Sequence, residues 1–297
     1  MDGQRVIGLD LGGTKILAGV VHRDGRVERR REHATPVGSE EELLAGIDEA
    51  VEELLEDEVA ALGFGLPSPI DQRTGRALQA VNIPLADIDF RTRMRERFGL
   101  PVGIENDANS ATYAEFQVGA ARDVQSMVML TLGTGCGGGA VIDGRLFRGW
   151  AEFGHIVVEV DGLPCQGTCT GRGHLEPYVT GTAATKLARE EFGPSADAYR
   201  LVRLAGEGDA RAREILAGIG HYLGAGIGTL VNIFNPELVV IGGGFAAAGD
   251  FILDSAREVV AREALAGAGE RLRIVRAELG TAAGLIGAGF VAFDSLE

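Results

Sequence analysis

The chain has 297 residues, enough for two domains of roughly 150 residues each and for a sizeable core. A formal charge of −15 with no basic patch argues against nucleic acid or an anionic membrane as a partner. Hydrophobic residues make up 45%, no apolar run approaches the roughly 20 residues that span a bilayer, and three cysteines suit a reducing, cytoplasmic setting better than a disulfide scaffold.

Val6–Asp10 reads as a short apolar strand ending in an acid, entered so early that no signal peptide is expected. The turn Leu11-Gly12-Gly13-Thr14-Lys15 follows, then a strand over Ile16–Val21, the hairpin signal Asp24-Gly25 and a third strand from Val27. Ser39-x-x-Glu42 opens a helix whose apolar stripe is Leu43, Leu44, Ile47, Val51 and Leu54. Phe90–Phe98 is a short charged helix closed by Gly99. The strand Val102–Glu105 runs into a helix from Asp107. Met127–Leu132, the turn Gly133-Thr134-Gly135, Gly137–Ile142, Asp143-Gly144 and Arg145–Phe147 then repeat the order of the opening segment. That order reads as an internal duplication, or as two unrelated hairpins. Ala210–Phe234 is a long helix, Leu238–Ile241 a buried strand running into Gly242-Gly243-Gly244, Leu272–Ala277 a last strand and Ala282–Phe290 a last helix. The expected fold class is α/β, with two lobes and a central cleft.

Three glycine-rich turns suit phosphate chemistry. Glycine lets backbone N–H groups approach an anion, and Thr or Lys adds a donor. Asp10 stands beside the first turn and could hold Mg²⁺, through water, because that ion prefers oxygen ligands. Gly133-Thr134-Gly135 is the second turn, and Gly242-Gly243-Gly244 is a flat surface suited to an adenosine. Neither of the first two turns matches the P-loop or the dinucleotide pattern.

Together these residues resemble the ROK family of the actin-like sugar kinase superfamily, over nearly the whole chain. Asp10–Lys15 is similar to its first phosphate motif and Leu132–Gly139 to its second. Gly63-Phe64-Gly65-Leu66-Pro67 with Asp71 resembles its hinge-side motif, with Ser68 where glycine is usual. Glu105-Asn106-Asp107-Ala108-Asn109 resembles its sugar-site motif, and Glu152-Phe153-Gly154-His155 and Gly173-His174-Leu175-Glu176 resemble its sugar and zinc segments. The resemblance implies two actin-like, ribonuclease H-like lobes. The smaller spans 1–118 and is completed by a C-terminal helix at about 282–297, and the larger spans 119–281. It also implies ATP and Mg²⁺, with Asp10, Gly12, Gly13, Thr14, Lys15, Gly133, Thr134, Gly135, Gly242, Gly243 and Gly244 on the nucleotide side.

Phosphorylating a hydroxyl needs a carboxylate that takes its proton. The resemblance puts Asp107 in that role. Read locally, Asp107 serves equally well as a helix N-cap. By the same resemblance Asn82, Asn106, Glu152, His155 and Glu176 are the other sugar ligands. For Asn82, a plain turn residue before Pro84 is an equal reading.

His155, Cys165, Cys169 and His174 lie within twenty residues, and two thiolates with two imidazoles suit tetrahedral Zn²⁺. The family pattern has one His and three Cys. Here two residues are inserted between the first two thiols, and His174 stands at the third. A loop with two free thiols and two surface imidazoles is the plainer reading. With four ligands the zinc would be structural, and one nitrogen of His155 could bind it while the other reaches the sugar. Cys136 reads as a small buried filler.

The activity implied is phosphotransfer from ATP to the 6-hydroxyl of glucose, the glucokinase reaction, with mannose, fructose, N-acetylmannosamine or N-acetylglucosamine as alternative acceptors. Family members also include sugar-responsive DNA-binding repressors, which carry a helix-turn-helix domain ahead of the first motif. Only nine residues precede Asp10 here. A non-catalytic sugar-binding protein is a third reading, opposed by Asp107 and both phosphate turns. A homodimer or higher homo-oligomer is expected from the family alone.

Overall fold

The computed structural model describes residues 4–56, 58–80, 83–269 and 271–297. It divides into two compact units. The first comprises the chain to Arg122, Arg148–Trp150 and Leu279–Glu297, and the second Asp123–Phe147 and Ala151–Glu278.

The first unit contains β1 (Arg5–Leu11), β2 (Lys15–His22), β3 (Val27–Ala34), α1 (Glu40–Glu52), β4 (Val59–Leu66), β5 (Ile70–Asp71), β6 (Arg76–Gln79), β7 (Ala86–Ile88), α2 (Phe90–Phe98), β8 (Val102–Asn106) and α3 (Asp107–Val118). Its main sheet has the order β3-β2-β1-β4-β8, with β5-β6-β7 as a small separate sheet. β1 pairs antiparallel with β2 and parallel with β4, and β4 pairs parallel with β8. Val6, Ile7, Leu9 and Leu11 are all buried, because helices cover both faces of this sheet and an alternating pattern would leave polar groups inside.

Local chemistry sets the helix ends. The Ser39 hydroxyl accepts the Glu42 N–H at 3.1 Å and starts α1, which turns Leu43, Ile47 and Val51 into the core. Asp89 caps α2, and Gly99 at φ +68° ends it. The chain's last helix, Ala283–Asp294, packs on β1, β4, β8 and α3. It lies so close that a Cβ on the strand glycines Gly8, Gly63 or Gly103 would fall 2.4, 1.9 or 2.2 Å from a carbonyl oxygen of that helix. β4, which carries Gly63, is not apparent from periodicity, because glycines interrupt its apolar pattern.

The second unit contains β9 (Met127–Leu132), β10 (Cys136–Ile142), β11 (Arg145–Leu146), α4 (Glu176–Val179), α5 (Gly181–Phe192), α6 (Ala198–Gly206), α7 (Ala210–Phe234), β12 (Leu238–Gly242), α8 (Asp250–Glu263) and β13 (Arg273–Arg276). The sheet order is β11-β10-β9-β12-β13. β9 pairs antiparallel with β10 and parallel with β12, and β12 pairs parallel with β13. This repeats the topology of the first sheet strand for strand, so the duplication extends well beyond the hairpins. Asp143 (φ +49°) and Gly144 (φ +76°) form the two left-handed centres of a tight hairpin turn.

α7 corrects one reading of the sequence. It is 25 residues long and, among the described residues, it is the one helix long and apolar enough to cross a membrane. Its apolarity has a packing cause: Leu216, Leu223, Ile227 and Val231 are buried within the second unit, and Gly220 and Gly224 abut backbone of α8.

Candidate active site

In the first unit, Asp10 is the penultimate residue of β1, beside the Gly12–Thr14 turn, which is held by the Gly12 N–H donating to the Lys15 carbonyl at 2.9 Å and by the Thr35 hydroxyl donating to the Gly12 carbonyl at 2.7 Å. Lys15 reaches Glu32 at 3.5 Å. Burial, and then the charge of Asp107, push the Asp10 carboxyl up to about 7 against the opposing pull of Lys15. Asp10 and Asp107 are therefore close enough to repel, an arrangement that a divalent cation would relieve.

β8 delivers the second acid. The Asn106 side chain caps α3, accepting from Ala108 N–H at 2.9 Å and Asn109 N–H at 3.2 Å. Asp107 is thus the first residue of α3 and does not cap it. Its Oδ1 accepts the Ala108 N–H at 2.8 Å. Glu105, only 2% exposed, lies behind this turn. Asn82 lies outside the described residues.

In the second unit, the Gly133–Gly135 turn is closed by the Gly133 N–H donating to the Gly135 carbonyl at 2.9 Å. The start of α5 docks on it: the Gly181 N–H donates to the Gly133 carbonyl at 2.9 Å, and the Thr182 hydroxyl to the Thr134 carbonyl at 2.9 Å. The Glu176 carboxylate accepts the Cys136 N–H at 2.8 Å and would meet any Cβ on Gly135. Burial raises the Glu152 pKa, with His155 opposing and Glu176 adding to the rise. Burial likewise drives the Cys136 thiol far above its usual range, so it is an inert filler.

A cleft of about 890 Å³ opens beside that turn, lined by Gly133, Thr134, α5, α6 and the segment Gly244–Ala248. Of the three glycines at the end of β12 and just beyond it, Gly244 lines it. Gly242 and Gly243 pack on β9 instead, where a Cβ on Gly243, at φ +81°, would fall 2.3 Å from the Leu132 carbonyl oxygen. Sequence reasoning missed the cleft's polar side chains, among them Thr182, Lys186, Arg189, Asp197, Tyr199 and Arg203. Lys186 had a signal, since it and Lys15 are the chain's only lysines.

His155, Cys165, Cys169 and His174 bring one ligand atom each to within 4.8 Å of one another. Short antiparallel bridges, Val157 with His174 and Pro164 with Arg172, fold the loop back on itself. The Tyr178 hydroxyl accepts the Leu163 N–H at 2.6 Å and anchors the loop to α4. His155 Nδ1 is 3.1 Å from His174 Nδ1 and 3.6 Å from Cys165 Sγ, and Cys169 Sγ is 3.7 Å from His174 Nδ1. With metal bonds of about 2.0 Å to nitrogen and 2.3 Å to sulfur, tetrahedral edges would be about 3.3 Å and 3.5 Å. The Gly171 N–H also donates to Cys169 Sγ at 3.4 Å, as backbone amides do toward ligating thiolates. Burial and the neighbouring Cys169 push the Cys165 thiol up to about 11, so that thiol keeps its proton unless a cation displaces it. The donor set fits zinc.

The model of the ROK family matches residues 6–294. The chain is 32% identical to a glucokinase of Streptomyces coelicolor over 95% of each chain. It is similar to the crystal structure of a ROK family glucokinase from Streptomyces griseus in complex with glucose and AMPPNP (TM-score 0.82, 33% identity, covering 98% and 99% of the two chains). It is also similar to the ROK hexokinase of Thermus thermophilus (TM-score 0.84, 36% identity, covering 99% of each).

Proposed function

As this chain belongs to the ROK family and has the actin-like fold of its kinases, we propose that it transfers the γ-phosphate of ATP to the 6-hydroxyl of glucose, with Asp107 as the general base. It is an ATP-dependent sugar kinase of the glucokinase type. The observation that carries the residue assignment is the β8–α3 turn: Asn106 does the capping, so Asp107 stands at the head of α3 with its carboxylate facing the charge of Asp10.

The roles of the other residues follow from their chemistry. Asn106, Glu152, His155 and Glu176 offer the acceptors and donors that a polyol needs, and a missing hydroxyl leaves one of them without its partner. Thr134 and Gly135, with Gly13, Thr14 and Lys15, offer backbone N–H groups and a cation to phosphate oxygens, while Gly12 and Gly133, whose own N–H groups close the turns, keep the approach free of side chains. Asp10 would hold Mg²⁺, which when bound neutralises phosphate charge. Gly244 leaves one wall of the cleft open to an adenosine, backed by Gly242 and Gly243. As functional lobes we take 1–118 with the C-terminal helix, carrying the base, and 119–281, carrying the cleft and the metal cluster. A homodimer or higher homo-oligomer is proposed on family grounds, and light scattering would measure it. A reducing, cytoplasmic setting fits, since Cys165 and Cys169 can ligate only as thiolates.

A coupled assay across glucose, mannose, fructose, N-acetylmannosamine and N-acetylglucosamine tests the reaction. The highest kcat/KM is expected for glucose, and preference for another hexose would reassign the acceptor.

The zinc assignment has its own test. Cys169→Ser should lower the melting temperature and raise the glucose KM, because the loop it ties carries the proposed sugar ligand His155 and is flanked by two others, Glu152 and Glu176. Metal analysis of the wild type purified without chelator should find about one zinc per chain, and less than about half would count against the site.

Asp10 sets a pH dependence. Its folded pKa of about 7 lies above the ordinary 3.8, so between those values the folded chain binds the proton more tightly than the unfolded chain. Stability is therefore lost as pH rises through that window and stays low above it. Asp10→Asn should raise the melting temperature of the ligand-free protein at about pH 8, with the gain gone near pH 4, while kcat falls about a hundredfold. An equal shift in melting temperature at both pH values would refute the carboxylate origin.

A further inference from the structure

The sugar-site motif contains a third polar residue with no assigned role. Glu105 is almost wholly buried, yet its carboxylate is held from several sides. Oε1 accepts the Asn106 N–H at 3.0 Å and Asn109 Nδ2 at 3.1 Å. Oε2 accepts Gln72 Nε2 at 2.9 Å and lies 3.6 Å from Arg148 Nε. Burial raises its pKa, and these four partners all oppose that rise. Arg148 is itself oriented by Asp294, 3.1 Å away, which also accepts the Tyr113 hydroxyl at 3.0 Å.

We propose that Glu105 and Arg148 are positioning residues for the proposed base, fixing the strand-to-helix turn that aims the Asp107 carboxylate. Glu105 grips the residues on both sides of Asp107: the backbone of Asn106 before it, and the side chain of Asn109 one turn into α3. All four of these partners are donors, so an acceptor is needed at both oxygens. A glutamine there would turn its NH₂ against either Gln72 Nε2 or the Asn106 N–H, donor against donor. Arg148 supplies the cation that makes a buried carboxylate tolerable. A base displaced by about 1 Å can lose up to about a hundredfold in rate, so these contacts bear on chemistry rather than on folding alone.

This inference rests on Asp107 being the base, and the experiment separates the two claims. Arg148→Met leaves Glu105 with its three other donors, and Arg148→Lys restores the charge. We expect Arg148→Met to lower kcat about tenfold with a smaller change in glucose Kd by calorimetry, Arg148→Lys to recover part of the loss, and Glu105→Gln to cost more than Arg148→Met. The deciding measurement is Arg148→Met in an Asp107→Asn background. A residue that acts through the base should cost almost nothing once the base is gone, whereas a general structural defect would cost the same tenfold in both backgrounds. Full additivity, or a wild-type kcat for Arg148→Met, overturns the positioning role. A near-normal kcat for Asp107→Asn alone overturns instead the base assignment on which it rests.

Discussion

Asp107→Asn should lower kcat by about a hundredfold or more while leaving the affinity for glucose nearly unchanged. The substitution keeps the shape of the side chain. An asparagine Oδ1 can still accept the Ala108 N–H that Asp107 now accepts at 2.8 Å, and the cap of α3 belongs to Asn106, so the helix should keep its start. Only the ability to take a proton is lost. Removing that negative charge should also let Asp10 ionise more readily, because Asp107 is one of the two causes holding its pKa up. Stopped-flow or coupled kinetics with calorimetry for glucose would test this, and near-normal turnover would eliminate Asp107 as the base.

Gly133→Val should abolish measurable ATP binding while glucose binding survives. A Cβ at Gly133 meets no atom closer than Gly135 O at 4.0 Å, so a side chain can start there without a clash, beside the cleft of about 890 Å³ that Gly133 lines. The backbone there is not left-handed, so the fold bears little strain from the change. The cost should fall on the ligand, since phosphate oxygens need the approach that a branched side chain blocks. Calorimetry with a non-hydrolysable ATP analogue and with glucose separates the outcomes. Equal losses for both ligands, or a melting temperature many degrees lower, would make Gly133 a structural residue rather than a nucleotide contact. Gly243→Val offers the contrast: its left-handed φ and the Leu132 backbone against it predict a folding defect instead.

What the sequence by itself determined about this protein is mainly local. α2 and α7 have the ends expected from the sequence, because capping residues and a left-handed C-terminal residue act over a few positions: Asp89 and Gly99 for α2, Asp209 and Asn235 for α7. The two hairpins and the strand after each phosphate turn were legible for the same reason, and their repeated order anticipated two sheets of identical topology. The ordered motifs also sufficed to identify the family.

Only the tertiary structure decided matters that depend on residues far apart in the chain. It set which glycines face ligand space and which serve packing: Gly133 and Gly244 line the cleft, while Gly63 and Gly103 make room for the chain's last helix, Ala283–Asp294. Asn106 and Asp107 are both good capping residues, and the backbone of Asn106, extended at the end of β8, gave it the cap. α5 and α6 carry Lys186, Arg189 and Tyr199 to the cleft because their buried faces, with Leu201 and Ala205 among them, dock on α7. The four candidate metal ligands, with two extra residues between the thiols, converge through a loop held by Tyr178 and the Val157–His174 bridge. In each case the sequence offered several residues of suitable chemistry. Close packing, which tolerates neither overlap nor an unsatisfied buried polar group, selected among them.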